Sequence, residues 1–416
     1  MTAYLPRIVD NELARGLLTV GAVHIRGPRA SGKTRTARQV CASEIRLDTE
    51  SPEASLARME PQSALPGPVP RLIDEWQAVP AIWNHVRHEV DDRAARGQFV
   101  LTGSATPADE APRHSGAGRI RSLTMRTMTL QERGVDATPV SLASLFDGSL
   151  EPSSGTQASV SDYAEWMVRG GWPGWTDLDH MDAQDAVSSY LEEMSEHDFP
   201  ELGGPRRDPR RFTAFLTAYA GLIGQPSTFA AIQRRMADVT GAAPSAELVS
   251  SLHGFAERLF VLEDQPSWST RLRSKTPLVQ TPKRHLADVS LALSLLRAGR
   301  DRLLTDLQTL GIAFESLAVH ELRVAAQAIR ARGVFHLRDT KGRDEIDIIV
   351  EDADGAWAGF EVKLSHQRVD EAAHQLNAVA SKVERAPAAL AIIVPSGPVV
   401  RRSDGVWVIP LASLSP

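Results

Sequence analysis

The octapeptide Gly27-Pro28-Arg29-Ala30-Ser31-Gly32-Lys33-Thr34 constrains this chain more than any other stretch. Before it runs VGAVHIR (20–26), apolar and β-branched, which reads as a buried strand. After it, Lys33–Ser43 reads as a helix. The segment fits G-x-x-x-x-G-K-[ST] at every fixed position, and its flanks are the strand and helix that the pattern requires. Glycines let successive backbone N–H groups turn inward, and the helix N-terminus adds partial positive charge. Such a loop is a cradle for phosphate oxygens. Residues Gly27, Pro28, Arg29, Ala30, Ser31 and Gly32 would line it, Lys33 would meet the β- and γ-phosphates, and Thr34 would ligate Mg²⁺. The competing reading is a glycine turn with a structural role only. The cofactors that follow from the first reading are ATP and Mg²⁺.

Forty residues on stands Arg71-Leu72-Ile73-Asp74-Glu75-Trp76-Gln77, an apolar strand ending in two acids. This is the Walker B arrangement: Asp74 would hold the ATP-bound Mg²⁺ through water and Glu75 would polarise an attacking water. An Asp-Glu pair that caps the next helix is the alternative. The strand Phe99–Thr102 ends in polar residues, and Thr102 or Ser104 could face a γ-phosphate as a sensor; a strand-end turn accounts for them equally well. Arg119 and Arg121 follow the Gly-rich stretch His114–Gly118. Either one would suit an arginine finger, in cis or from a neighbouring copy, or would be a solvated surface arginine.

Strands at 20–26, Glu44–Leu47, Pro70–Asp74 and Phe99–Thr102 alternate with helices, which implies a largely parallel α/β sheet. Arg121–Leu130 reads as a fifth strand. With 416 residues the chain exceeds one ordinary core, so two or three domains are expected. EPSSGTQASVS (151–161) reads as a flexible linker. Residues 162–300 read as mostly helical, and a second α/β pattern begins near 301. No apolar run is long enough for a bilayer and no secretory signal pattern opens the chain, so no membrane partner and a cytoplasmic location are expected. The single cysteine, Cys41, allows no internal disulfide.

The second α/β pattern carries its own constellation. Asp347 sits in the strand EIDIIV, and Glu361 and Lys363 share a face of the strand Ala358–Leu364. Asp352–Gly355 between them reads as a hairpin turn. Glu315 on the preceding helix could complete the cluster. Carboxylates with a lysine in this D…E-x-K pattern suit a second metal site, for Mg²⁺-dependent phosphodiester cleavage. A structural salt-bridge cluster is the alternative.

A net charge of −6 gives no global nucleic-acid signature. Two local basic clusters remain: residues 270–285 (TRLRSKTPLVQTPKRH) and Arg206, Arg207, Arg210 and Arg211. Each suits phosphate contact or a solvated loop equally. Ser227–Met236, Ser245–Arg258 and Leu259–Asp264 fit a winged helix-turn-helix. Its second helix offers Glu247, His253, Glu257 and Arg258, a poor set for reading a groove, so protein packing is favoured. Trp172 and Trp175 read as packing a helix junction.

With GPRASGKT, RLIDEWQ, VLTGSA, HSGAGRI, GGWPG (170–174), LGIAFESLAVHEL, EIDIIV and FEVKLS together, the chain resembles a prokaryotic family of ATP-binding proteins. That family joins an AAA-type ATPase domain to a C-terminal domain of uncharacterised function. The resemblance runs nearly end to end. It implies an α/β fold with an AAA-type P-loop ATPase domain over 1–150, a helical middle with a winged-helix-like segment over 151–300, and a restriction-endonuclease-like α/β domain over 301–416. One departure is Asp288-Val289-Ser290-Leu291, where the family usually has Asp-Pro-Ser-Leu. The function expected is Mg²⁺-dependent ATP hydrolysis coupled to movement of the later domains. An ATP-regulated nucleic-acid-binding protein or nuclease, and a slow nucleotide switch acting through a protein partner, stay open, as does a homo-oligomer.

Overall fold

The computed structural model describes residues 4–106, 115–200, 208–269 and 278–416. Five short strands form the first sheet: β1 (Ala22–Arg26), β2 (Ser43–Arg46), β3 (Arg71–Asp74), β4 (Phe99–Gly103) and β5 (Ile120–Thr124). Their order is β2-β3-β4-β1-β5, with every pairing parallel. The β4 strand therefore lies between the P-loop strand β1 and the acidic strand β3, so all three deliver their C-terminal ends to one sheet edge. Buried Ala22, Val23, Ile25, Leu72, Ile73, Val100 and Leu101 show why the central strands β1, β3 and β4 are largely apolar: both of their faces are covered. The helix after the P-loop is shorter than its sequence suggests, Lys33–Arg38.

The second sheet has the order β7-β12-β13-β11-β10-β9-β8. Its strands are β7 (Ser153–Thr156), β8 (Gly333–Arg338), β9 (Glu345–Glu351), β10 (Trp357–Val362), β11 (Ala389–Val394), β12 (Gly397–Arg401) and β13 (Trp407–Pro410). The long helix Leu307–Ala328 packs on it. One sequence expectation is corrected here. The 151–161 stretch is not a free linker: β7 pairs with β12 at Thr156↔Gly397, and Ser159 then caps the helix Val160–Arg169 in a reciprocal capping box with Asp162. The end of the first expected region also meets the end of the chain. A short strand β6 (Val140–Ser141) pairs with β14 (Leu414–Ser415) at the chain's end, and Leu130, Val140, Leu142 and Leu145 share one core with the second sheet and its helices.

The described residues between 160 and 305 are mainly helical, and those of the central helices pack round Phe212, Phe215, Tyr219, Val249, Leu252 and Phe255. Two of the helices, Phe229–Thr240 and Ala246–Arg258, precede a short antiparallel ribbon that bridges Leu262↔Leu286 and Gln265↔Lys283. The ribbon runs onto β8, the edge strand of the second sheet: Trp268 N–H donates to the His336 carbonyl and Val279 N–H to that of Arg338. An edge strand covered in this way is protected from foreign pairing. Arg206, Arg207, Arg271, Arg273 and Lys275 lie outside the described residues.

Candidate nucleotide site

Backbone geometry explains the P-loop glycines. Gly27 has φ +156°, and a Cβ there would meet the Met125 carbonyl oxygen at 2.0 Å. Gly32 has φ +102°, which sets the left-handed entry into the helix that Lys33 begins. Ala30 is also left-handed, at φ 60°. Lys33 Nζ donates to the carbonyl oxygens of Gly27 (3.0 Å) and Pro28 (2.7 Å), so its ammonium lies over the loop. Burial lowers the Lys33 pKa to about 8, although Glu75 and Asp74 act in the opposite sense. The Ser31 hydroxyl is buried in the loop with no hydrogen-bond partner among the described residues.

The neighbouring strand ends supply the acids. Thr34 Oγ1 donates to Asp74 Oδ1 (2.7 Å), and so does Thr102 Oγ1 (2.5 Å). Asp74 is 6% exposed and ties the P-loop helix to β3 and β4 at once. Glu75 is held in the left-handed region at φ 52°, and its carboxylate accepts hydrogen bonds from Gln77 Nε2 and from Ser104 Oγ at 2.9 Å. The two hydroxyls expected to be sensors thus each hold one acid, Thr102 on Asp74 and Ser104 on Glu75. Gly103 fits between them, because a Cβ there would strike Gln77 Oε1 and Trp76 Nε1.

Arg119 lies away from its own chain's P-loop. It precedes Ile120, which pairs with Ala22 at the start of β1, whereas the P-loop follows Arg26 at the end. Four strand steps, roughly 13 Å, separate the two edges. Arg119 instead pairs with Asp91 at 2.8 Å, and Arg121 pairs with Glu12 at 2.8 Å. Neither reaches its own chain's phosphate cradle.

Arg7 carried no sequence signal. Arg7 Nη1 donates to the Ser31 carbonyl (2.8 Å) and Nη2 to that of Arg126 (2.9 Å). Arg29 pairs with Asp198 of the helical region at 2.6 Å. A cavity of about 260 Å³ abuts Gly32 and Thr36, with Tyr4 and Arg7 on one side and Pro173 and Gly174 of the GGWPG turn on another. Trp172 beside that turn is buried and donates to Ser290 Oγ at 3.1 Å, a packing role. Asp288 caps the helix Val289–Leu295 and accepts from the Gly171 N–H at 2.9 Å, so the Asp-Val departure leaves that turn's capping in place.

The C-terminal constellation converges, but around a cation that the spacing did not reveal. Lys283 Nζ lies 2.8 Å from Glu315, 3.3 Å from Glu345 and 3.4 Å from Asp347, at 1% exposure. Lys363 lies 2.8 Å from Glu361 and 3.9 Å from Asp347. Among the described residues no group of three or more His, Cys, Asp or Glu is arranged to hold a metal ion. Within the set expected to hold a second metal, Glu315, Asp347, Glu361 and Lys363, the buried Lys283 ammonium pairs with Glu315 and Asp347. Burial and Asp347 push Glu361 up to about 8. Burial pushes Glu315 up to about 7 against the pull of Lys283. Asp347 itself is held low despite its burial, by Lys283 and Lys363. Lys283 and Arg284 are both buried and ion-paired, Arg284 with Asp264, which removes them from the 270–285 basic cluster.

Residues 20–133 match the AAA domain family; residues 160–302 match a domain of unknown function (DUF8612) and residues 310–414 another (DUF4143). Two curated relatives, uncharacterized proteins of Mycobacterium tuberculosis (Rv2008c) and Mycobacterium bovis (Mb2031c), are each 26% identical over 96% of this chain and 82% of their own length. Among solved structures, the Walker-type ATPase PABY2304 of Pyrococcus abyssi is 13% identical, covering 69% of this chain and 94% of that one, with a TM-score of 0.42. Cdc6p of Pyrobaculum aerophilum is also 13% identical, covering 73% and 97%, with a TM-score of 0.22. Among the described residues no helix is long and apolar enough to cross a membrane.

Proposed function

We propose that this AAA-domain protein binds ATP with Mg²⁺ at the P-loop and hydrolyses it. The observation that carries the reading is the shared carboxylate: Thr34 and Thr102 both donate to Asp74 Oδ1, beside the buried Lys33. A threonine hydroxyl bonded to an acid at the end of the next strand but one is a pair ready to hold hydrated Mg²⁺, and the orphaned Ser31 hydroxyl leaves a donor for a phosphate oxygen. Thr34 and Asp74 would hold the metal, which would supply positive charge to offset that of the phosphates. Lys33 exchanges the Gly27 and Pro28 carbonyls for phosphate oxygens. Glu75 accepts the proton of a water aligned on the γ-phosphate. The cavity beside Gly32 takes the nucleoside, between Tyr4 and Arg7 on one side and Pro173 and Gly174 on the other.

Nucleotide state reaches the helical region through that wall and through Arg29–Asp198. This supports coupling of turnover to movement of the later domains. Arg119 reaches a γ-phosphate only from a neighbouring copy, since it lies at the far sheet edge of its own. One observation favours the slow-switch alternative: Gln77 and Ser104 hold the Glu75 carboxylate, which must be released before it can serve a water. The lysine at the centre of the C-terminal cluster argues against an active nuclease there, and we read that cluster as a junction between regions.

Steady-state phosphate release and nucleotide affinity, measured on the wild type, Lys33→Ala and Glu75→Gln, test the proposal. Turnover lost in both variants, with ATP affinity lost in Lys33→Ala and kept in Glu75→Gln, is expected. Tight binding with negligible wild-type turnover identifies the switch, and no ATP binding by the wild type refutes both readings.

A further inference from the structure

A second cavity, about 530 Å³, opens where the three matched regions meet. Five arginines line it: Arg121 and Arg126 from the first sheet's last strand and the segment after it, and Arg323, Arg330 and Arg332 from the long helix Leu307–Ala328 and the turn that follows. Three carboxylates line it as well, and they do not saturate the arginines. Glu12 is taken by Arg121, and Glu263 receives Arg126 through a bidentate contact of 2.5 to 3.0 Å. Asp264 is engaged by Arg284 and Tyr219, behind the wall. Arg332 reaches out to Glu351. Two cations are left underused. Arg323 is 7% exposed, lies 3.8 Å from Glu263, and its Nη2 is buried with no hydrogen-bond partner among the described residues. Arg330 is exposed at the mouth and makes no side-chain ion pair or hydrogen bond among the described residues.

A buried guanidinium donor without an acceptor is uncommon in a native fold and calls for one. Guanidinium groups converging from separate elements present a fork geometry matched to phosphate oxygens. We propose that this cavity binds a compact phosphate-bearing anion of nucleotide size, at a site distinct from the P-loop. Its volume falls within the usual range for small-ligand pockets, roughly 300 to 1,000 Å³. A polynucleotide backbone needs a continuous basic track, and Glu12, Glu263 and Asp264 interrupt this one. Those carboxylates suit the hydroxyl donors of a sugar. The ligand would touch all three regions together, so its occupancy fixes their relative arrangement. The site does not depend on the ATPase reading, because no P-loop residue lines it.

The test uses the full chain carrying Lys33→Ala, which weakens phosphate capture at the P-loop. Pyrophosphate and AMP are titrated into it calorimetrically at constant ionic strength. Saturable binding of either probe, weakened at least tenfold by Arg330→Gln/Arg332→Gln, is the expected result. The tighter probe tells an inorganic phosphate from a nucleotide. Both substitutions are at exposed positions, and circular dichroism verifies the fold. Arg210→Gln/Arg211→Gln, on an exposed helix start elsewhere, serves as the charge control and should leave affinity unchanged. No binding of either probe, unchanged affinity in Arg330→Gln/Arg332→Gln, or an equal loss in the charge control overturns the proposal.

Discussion

The ammonium of Lys283 lies 2.8 Å from the carboxylate of Glu315, joining a ribbon of the helical region to the long helix of the C-terminal domain. Glu345 and Asp347 complete the surround, and the lysine has almost no contact with solvent. Removing one partner of a buried ion cluster leaves the others uncompensated, at a cost of about 3–5 kcal/mol. Lys283→Met keeps the bulk of the side chain and should lose stability of that order in urea unfolding. Adding Glu315→Gln should restore part of the loss, because one stranded charge disappears. Additive losses in the double variant would show that the two residues do not interact.

The same cluster makes stability depend on pH in a stated direction. Glu361 titrates at about 8 in the fold, through burial and Asp347, against roughly 4.3 in an unfolded chain. The folded state therefore holds this proton more tightly. The resulting stability is complete below the unfolded value and is lost as pH rises through about 8. Glu315, at about 7, acts in the same sense. Glu361→Gln stays neutral throughout, so its stability relative to the wild type should rise between pH 5 and pH 8.5, by an amount on the order of 1–3 kcal/mol. Thermal unfolding of both proteins across that window checks it. A constant difference would rule out a raised Glu361.

Gly27 and Gly174 both belong to the candidate nucleotide site, yet they should respond oppositely to a methyl group. At Gly27 the new Cβ would stand 2.0 Å from the Met125 backbone oxygen, in a left-handed conformation. Gly27→Ala should lower stability by about 1–3 kcal/mol and weaken ATP binding at least tenfold, since the loop must move off its cradle geometry. At Gly174 a Cβ meets nothing within 4 Å. Gly174→Ala should fold as the wild type does, which makes it the control in a paired measurement of melting temperature and nucleotide affinity.

The pattern of what the sequence made legible follows the range of the interactions. Gly27–Thr34 and Asp74-Glu75 were legible because the proposed nucleotide chemistry confines residue types to short, fixed spacings between a strand and a helix. Strand alternation likewise brought Asp347, Glu361 and Lys363 together, and their contacts bear this out. Lys283 was hidden because a basic run reads as surface, and only the ribbon pairing Gln265↔Lys283 turns it inward. The β7 strand was hidden because Ser153–Thr156 has the composition of a linker, and its partner β12 lies far along the chain. For Arg119 the sequence left own-chain, neighbouring-copy and surface readings open, because nearness in sequence to a glycine-rich loop says nothing about which sheet edge that loop occupies. Arg7, which braces the P-loop through the Ser31 carbonyl, has no motif at all.

Lys33 supplies a signature that separates phosphate binding from mere burial. Its ammonium is buried against the Gly27 and Pro28 carbonyls, and burial brings its pKa down to about 8. Near that pH an appreciable fraction of the ligand-free protein carries a neutral amine. Phosphate oxygens favour the charged form, so nucleotide binding raises the pKa and draws a proton from solution. Proton uptake should therefore accompany ATP binding at pH 8 and fade towards pH 6.5, where the ammonium is already formed. Above pH 8 the apparent affinity should fall, about tenfold per pH unit at most, for one proton linked to binding. Calorimetric titrations in buffers of different ionisation enthalpy measure the uptake directly. Lys33→Arg, charged at every accessible pH, should abolish it even where some binding survives. Uptake that persists in Lys33→Arg would assign the proton to another group and remove Lys33 from that role.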